Sequence, residues 1–277
     1  MGLTGAGAVD PHTWTGGEGW EPQLPVLVVT HGGDAMILAN LRPRIGASDL
    51  DLVIRVLADG DDAARRRIER EIATEGIDRL LDRDGLAERL RSHPELGSPS
   101  AHLFIYVTVR HALLAADIDD AMLSDYLGAL ILEFGKRGRA FRIAEHDDAS
   151  YRYLVDIVDD LSVESGRRGF LLSVHLGNFS LWLAGIFPDH VTARNERRGA
   201  PGIGYYDELG ARGFSLAAEH RLARQLEMSG TYRTVADSFH RIRVALNHIS
   251  DRLLFPSIHT PGRLLRQVAD GFTPAEA

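Results

Sequence analysis

The sequence contains no cysteine and only one lysine, Lys136, among its 277 residues. Without cysteine the chain has no disulfide framework, no thiolate nucleophile and no cysteine-ligated zinc, and we expect a cytoplasmic protein. The shortage of lysine argues against a Schiff base and against a phosphate-binding loop. Arginine in place of lysine, together with abundant alanine, glycine and leucine, is typical of a GC-rich bacterial genome.

Several catalytic signatures are also missing. The sequence has no GxGxxG after a strand, no GxxxxGK followed by Ser or Thr, no HExxH, no GxSxG and no EF-hand loop. Paired ExxH motifs, which hold two iron ions in helical bundles, are absent as well. These absences leave open whether the protein is an enzyme, and they predict no resident cofactor.

The composition indicates a globular protein with one large domain or two small ones. Hydrophobic residues make up 44% of the chain and charged residues 25%, which is ordinary for a packed domain. The formal net charge is −8. This acidic balance favours solubility and disfavours general binding to nucleic acid or to anionic membranes.

Residues 170–187 contain no Asp, Glu, Lys or Arg. At the helical period they form an apolar stripe, a stripe of small residues and a third stripe that carries the polar groups. The three stripes are Leu172, Leu176, Phe179, Leu183 and Ile186; Ser173, Gly177, Ser180 and Ala184; and Leu171, His175, Asn178 and Trp182. A helix that is apolar nearly all round is buried, and its small stripe allows close approach of a neighbouring helix. We therefore predict a buried central helix at about 166–187.

His175 and Asn178 lie one turn apart on this helix. Because buried polar side chains are nearly always hydrogen-bonded, we predict that the two residues join a buried polar network. A ligand-binding or catalytic role is the alternative. The polar residues in the middle of the segment argue against a membrane span, since each needs a partner in lipid.

The first 35 residues differ from the rest in their many glycines. No basic region precedes the short apolar run 24–29, so a secretory signal is not expected. We predict an extension, residues 1–35, that packs poorly. The codons for residues 32–34 can spell a ribosome-binding site, followed by a spacer and the ATG of Met36. On this hypothesis Met36 is the native start.

The remaining pattern predicts an all-α protein with a single helical domain of about eight to ten helices at 36–256. Charged helices occupy 48–92, apolar core helices occupy 99–254, and 257–277 form a C-terminal tail with one marginal helix. Among the core helices we predict one at 147–161, one at 205–228 with a kink at 210–213, and one at 231–254.

The order His111, His146-Asp147 and a later aspartate such as Asp251 resembles the H…HD…D arrangement of HD-type phosphohydrolases, which are all-helical. The resemblance implies a divalent metal that activates water for attack on a phosphate ester. In this chain the HD pair follows Ala144 and Glu145, without the apolar lead-in and following glycine that are usual in that family. On the strength of the shared residue order, a metal-dependent phosphohydrolase is the alternative function.

Arginines supply the other candidate contacts. Arg137 and Arg139 lie in a basic turn and Arg168 precedes the central helix, so we regard these three as contacts for an anion or a partner. Nucleic-acid binding through the arginines near Arg137, Arg197 and Arg241 is a further alternative, as is a tetrapyrrole held by His175 or His111. Neither has support from a motif.

The pattern as a whole favours a protein-interaction or regulatory module. The supporting features are the amphipathic helices, the acidic charge and the lack of a catalytic signature. The expected partner is another protein or a second copy of the chain. Tyr205, Tyr206 and Arg243 in the last helices are the side chains that we expect to be exposed on a partner surface.

Overall fold

A computed structural model of the chain describes residues 37, 39–93, 96–144 and 147–272. These residues form fourteen α-helices in one domain, and they contain no β-strand. The predicted all-α class is confirmed. The extension 1–35 and the alternative start at Met36 lie outside the described residues.

Six helices make up the first half of the domain. They are α1 Ala47–Ala58, α2 Asp62–Glu75, α3 Asp78–Leu81, α4 Leu86–Ser92, α5 Ala101–Leu114 and α6 Ala121–Phe134. Side-chain caps set several of their boundaries: Asp61 accepts a hydrogen bond from the Ala63 N–H, and Asp120 accepts one from the Leu123 N–H. Asp49 of α1 accepts hydrogen bonds from the Ser100 N–H at 2.9 Å and from its hydroxyl at 2.7 Å. This carboxylate therefore joins α1 to the start of α5.

Eight helices make up the second half. They are α7 Leu154–Val163, α8 Gly166–Leu181, α9 Pro188–Arg198, α10 Ile203–Glu219, α11 Arg221–Gln225, α12 Ser229–Asp237, α13 Phe239–Ile249 and α14 Pro261–Phe272. Two predicted helices are interrupted, and α14 lies beyond the predicted domain, which accounts for part of the excess over the predicted helix count. The predicted helix 205–228 breaks at His220, whose Nδ1 caps the Leu222 N–H, and the predicted helix 231–254 breaks at Ser238.

The helix predicted at 147–161 begins seven residues later than expected. Asp147 accepts a hydrogen bond from the Ala149 N–H at 3.0 Å, which forms a local turn instead of a helix cap. The first helical residue is Leu154, and the helix extends to Val163.

Helix α8 occupies the centre of the domain, as the sequence predicts. Within the described ranges, the segment Gly166–Ile186 is the one helix long and apolar enough to cross a membrane, and 94% of its apolar window is buried inside the fold. Its last turn is a π-helix, Trp182–Ile186, which leaves carbonyl oxygens outside the regular helical pattern. Asn247 of α13 donates to the Ala184 and Gly185 oxygens at 2.7 and 2.8 Å, and the Ser250 hydroxyl donates to the Ile186 oxygen at 2.7 Å.

The small stripe of α8 packs directly against α10. The kink predicted at 210–213 is not present, since α10 is continuous from Ile203 to Glu219. A Cβ atom on Gly213 would lie 2.7 Å from the Ser173 oxygen and 2.8 Å from the Gly177 nitrogen. The Gly213 position therefore serves the close approach of two helices, and it does not form a turn.

A glycine-to-alanine pair in α10 tests this contact. We expect Gly213→Ala to lower the free energy of unfolding by about 1–3 kcal/mol or more, because the new methyl group meets backbone atoms that cannot move aside. Gly204 lies in the same helix, and a Cβ atom added there would have no neighbour within 4 Å. Gly204→Ala should therefore be neutral or stabilising by up to about 1 kcal/mol. Urea denaturation of both variants measures the difference, and equal effects would contradict the close approach.

Candidate functional site

Helix α14 turns its charged residues inward and its aliphatic residues outward. Arg263 and Arg266 are only 4% and 7% exposed, whereas Leu264, Leu265 and Val268 are 63%, 70% and 54% exposed. A surface helix normally has the opposite orientation. The sequence pattern predicts a C-terminal tail with one marginal helix here, and in the structure Pro261–Phe272 form a helix that is packed onto the domain.

The inward side of α14 binds carboxylates on two other elements. Arg263 Nε donates to Asp189 Oδ2 of α9 at 2.9 Å, and its Nη1 donates to the Phe255 oxygen at 2.8 Å. Arg266 Nη2 donates to both oxygens of Asp251, at 2.8 and 3.1 Å, and Gln267 adds a third hydrogen bond to Asp251 at 2.7 Å. Asp251 belongs to the π-helix Ser250–Leu254 that continues α13.

A further group of ion pairs extends this contact to α10 and α13. Arg243 of α13 is 2% exposed, and its Nη2 donates to Asp270 Oδ1 of α14 at 3.2 Å. Its Nε donates to Asp207 Oδ2 of α10 at 3.2 Å and its Nη1 donates to Asn247 Oδ1 at 2.7 Å. Arg243 was expected on the surface, but the structure buries it as the link between α14 and the interior.

We call the set formed by Asp189, Asp207, Arg243, Asp251, Arg263, Arg266 and Asp270 the ionic cluster. Four carboxylates face three guanidinium groups in this cluster. Buried charges need partners of opposite sign, so α14 cannot rotate about its axis without leaving some of them unpaired. The ionic cluster thereby fixes which side of α14 faces the solvent.

The solvent side of α14 carries no charge. Its exposed side chains between Pro261 and Asp270 are Pro261, Leu264, Leu265, Gln267, Val268 and Ala269. We call Leu264, Leu265 and Val268 the outward face. These three aliphatic side chains are all more than half exposed.

The residues of the proposed metal set make contacts in different parts of the fold. His111 Nε2 donates to the Leu81 oxygen of α3 at 2.9 Å, whereas Asp251 is bound by Arg266 and Gln267. Asp147 accepts a hydrogen bond from Arg168 at 3.1 Å. His146 lies outside the described residues. Among the residues that the structure describes, no group of three or more His, Cys, Asp or Glu side chains is placed to hold a metal ion.

His175 and Asn178 are both 3% exposed, and they differ in their partners. The Tyr126 hydroxyl donates to Asn178 Oδ1 at 2.6 Å. The Nε2 atom of His175 has no hydrogen-bond partner among the described residues. The His175 ring stacks on Phe179 with centroids 5.8 Å apart. Burial lowers the pKa of His175 to about 3; Arg139 adds to this shift and Asp147 opposes it.

The three candidate arginines have different surroundings. Arg139 is 7% exposed and donates to the backbone oxygens of Arg142 and Ile143 at 2.5 and 3.2 Å. Arg168 donates to Asp147 and, at 3.2 Å, to the Tyr151 hydroxyl. Arg137 is exposed in the turn. The guanidinium groups of Arg139 and Arg168 thus bind groups of the protein itself.

Comparison with protein families, with curated proteins and with solved structures finds no match to this chain. The site residues that sequence reasoning missed are Arg263, Arg266 and Asp270, which recur at helical spacing with leucines on the opposite side. This spacing is a readable signal of an amphipathic helix in the segment predicted to be a tail.

The burial of His175 predicts acid sensitivity. Its pKa is about 3 in the folded protein and near 6.5 in the unfolded chain. The unfolded chain therefore binds the proton first, and the free energy of unfolding falls as the pH drops below about 6.5, by up to about 1.4 kcal/mol per pH unit for this group. His190, whose pKa burial lowers to about 4, contributes in the same direction. Urea denaturation across pH 4–7 measures how steeply the free energy of unfolding depends on pH. This dependence should be weaker for His175→Phe than for the unmodified chain, and an equal dependence would contradict the prediction.

The ionic cluster predicts a large difference between buried and exposed ion pairs. Asp251→Asn removes the carboxylate that lies closest to Arg266 and leaves it only the longer contacts to Asp189 and Asp270, so we expect a loss of about 3–5 kcal/mol in the free energy of unfolding. Asp78, paired with Arg42, is the control because the two side chains are 54% and 38% exposed. Asp78→Asn should cost less than about 1 kcal/mol. Similar losses in the two variants, measured by urea denaturation, would contradict the role of the cluster.

Proposed function

We propose that this protein is a protein-interaction module and that its binding surface is the outward face of α14. The observation that carries the proposal is the orientation of that helix: its arginines are buried, and Leu264, Leu265 and Val268 are more than half exposed. Burying such side chains against a partner is favourable by about 1.5–3 kcal/mol for each side chain that becomes fully buried.

The way in which α14 is held supports binding with little loss of conformational freedom. Arg263, Arg266 and Asp270 engage groups on α9, on α13 and on the π-helix that follows α13. A helix fixed in this way presents its leucines in one orientation before a partner arrives. Preorganisation of a binding surface lowers the entropic cost of association.

The partner that we propose is a second copy of the chain. A two-fold interface brings the same surface together from both subunits, and the outward face contains no charge that would meet its own copy. The net charge of −8 repels two chains at long range. Moderate salt screens this repulsion, so the dimer should become more stable as the salt concentration rises.

A leucine-to-glutamate substitution on α14 tests the proposal. Leu265→Glu places two like charges in a two-fold interface and removes apolar area, so we expect the dissociation constant to rise more than tenfold. Sedimentation equilibrium over a range of protein concentrations measures this constant.

Leu226→Glu provides the matched control, because Leu226 is 42% exposed and lies outside α14. This variant should associate like the unmodified chain. Two results would contradict dimerisation through α14. One is an unmodified chain that stays monomeric at high concentration in moderate salt, and the other is a dissociation constant that rises equally in Leu265→Glu and Leu226→Glu.

A further inference from the structure

A groove of about 380 Å³ opens between α7, the start of α8 and α10. It is separate from the outward face of α14. Its volume falls in the range of pockets that enclose small molecules, about 300–1,000 Å³. Its lining contains both apolar and polar side chains.

The apolar lining consists of aliphatic and aromatic side chains from three helices. Phe170 and Leu176 of α8 form the floor and are 3% and 1% exposed. Leu161 of α7 and Leu209 of α10 line the walls, and Leu216 lies at the edge with 41% exposure. This lining suits a short hydrocarbon chain.

The polar lining consists of Arg212, Glu164 and His220 together with the serines Ser162, Ser165 and Ser173. The His220 ring stacks on Phe170 at 5.0 Å, and its Nδ1 accepts the Leu222 N–H, so this residue belongs to the wall. Arg212 is exposed, and within the described part of the chain its guanidinium makes no hydrogen bond and no ion pair. Its positive charge is therefore available to bind an anion, whereas the negative charge of the Glu164 carboxylate repels an anion.

We infer that this groove binds a small amphiphilic acid, with its carboxylate at Arg212 and its hydrocarbon chain against Phe170, Leu176 and Leu209. The charge of Arg212 matches the acid group, and the apolar lining matches the chain. Glu164 lowers the affinity for the anion without affecting a neutral ligand. Each methylene group added within the groove strengthens binding about fourfold.

The experiment compares octanoate with its neutral analogue octanol by isothermal titration calorimetry on the full chain. Octanoate should bind more tightly than hexanoate, by roughly tenfold or more for two methylene groups. Arg212→Gln should weaken octanoate about tenfold and leave octanol unchanged. Glu164→Gln should strengthen octanoate and also leave octanol unchanged.

Leu216→Trp supplies an independent test because the larger ring fills the edge of the groove. It should weaken octanoate and octanol to the same extent. Arg212 and Leu216 are both exposed, so the variants should keep the circular dichroism spectrum of the unmodified chain. Failure to detect saturable binding of hexanoate, octanoate or decanoate would overturn the inference, as would octanoate binding that does not respond to Arg212→Gln.

The groove and the proposed dimer surface can be tested separately. Leu265→Glu should bind octanoate like the unmodified chain, because α14 contributes no side chain to the groove. Loss of octanoate binding in that variant would place the binding event at the outward face and overturn the assignment to the groove.

Discussion

The burial of α8 is the constraint on which the rest of the structure depends. Its residues 170–187 carry no charge, so neighbouring elements must cover every side of the helix. The closest neighbour is α10, which reaches the α8 backbone at Gly213. After the end of α8, the π-helical turn Trp182–Ile186 leaves carbonyl groups that accept hydrogen bonds from Asn247 of α13 and from Ser250 of the π-helix that continues α13. Packing and hydrogen bonding around one helix thus determine the positions of α10 and α13.

Those two helices in turn position the ionic cluster. Asp207 belongs to α10 and Arg243 to α13, and the same Arg243 binds both Asn247 and Asp270 of α14. A continuous chain of hydrogen bonds therefore runs from the end of α8 to the inner side of α14. Because the polar side of α14 is used for docking, its aliphatic side remains in solvent. The proposed interaction surface is a consequence of this polar contact.

The sequence predicts the features that depend on local pattern. The all-α class, the central helix and its small-residue stripe follow from periodicity, and the bounds of α9 follow from Pro188 and Gly199. The glycines of α10 show the limit, because the sequence cannot distinguish a kink from a close helix contact without the partner helix. Arg243 shows a second limit: a buried arginine reads as a surface residue until its carboxylate partners, 27 and 36 residues away in the sequence, are in place. The contacts of α14 were missed because the carboxylate partners of its arginines, Asp189 and Asp251, lie 74 and 15 residues away in the sequence.

The most direct test of the account uses the absence of cysteine in the chain. Ala269→Cys introduces a unique thiol beside the outward face of α14, and a nitroxide spin label can be attached to it. Double electron–electron resonance then measures distances between labels on different protein molecules. Association through α14 predicts one narrow intermolecular distance that disappears when Leu265→Glu is added. A narrow distance that survives Leu265→Glu, or the absence of any intermolecular coupling at high protein concentration, would contradict the assignment of α14 as the interaction surface.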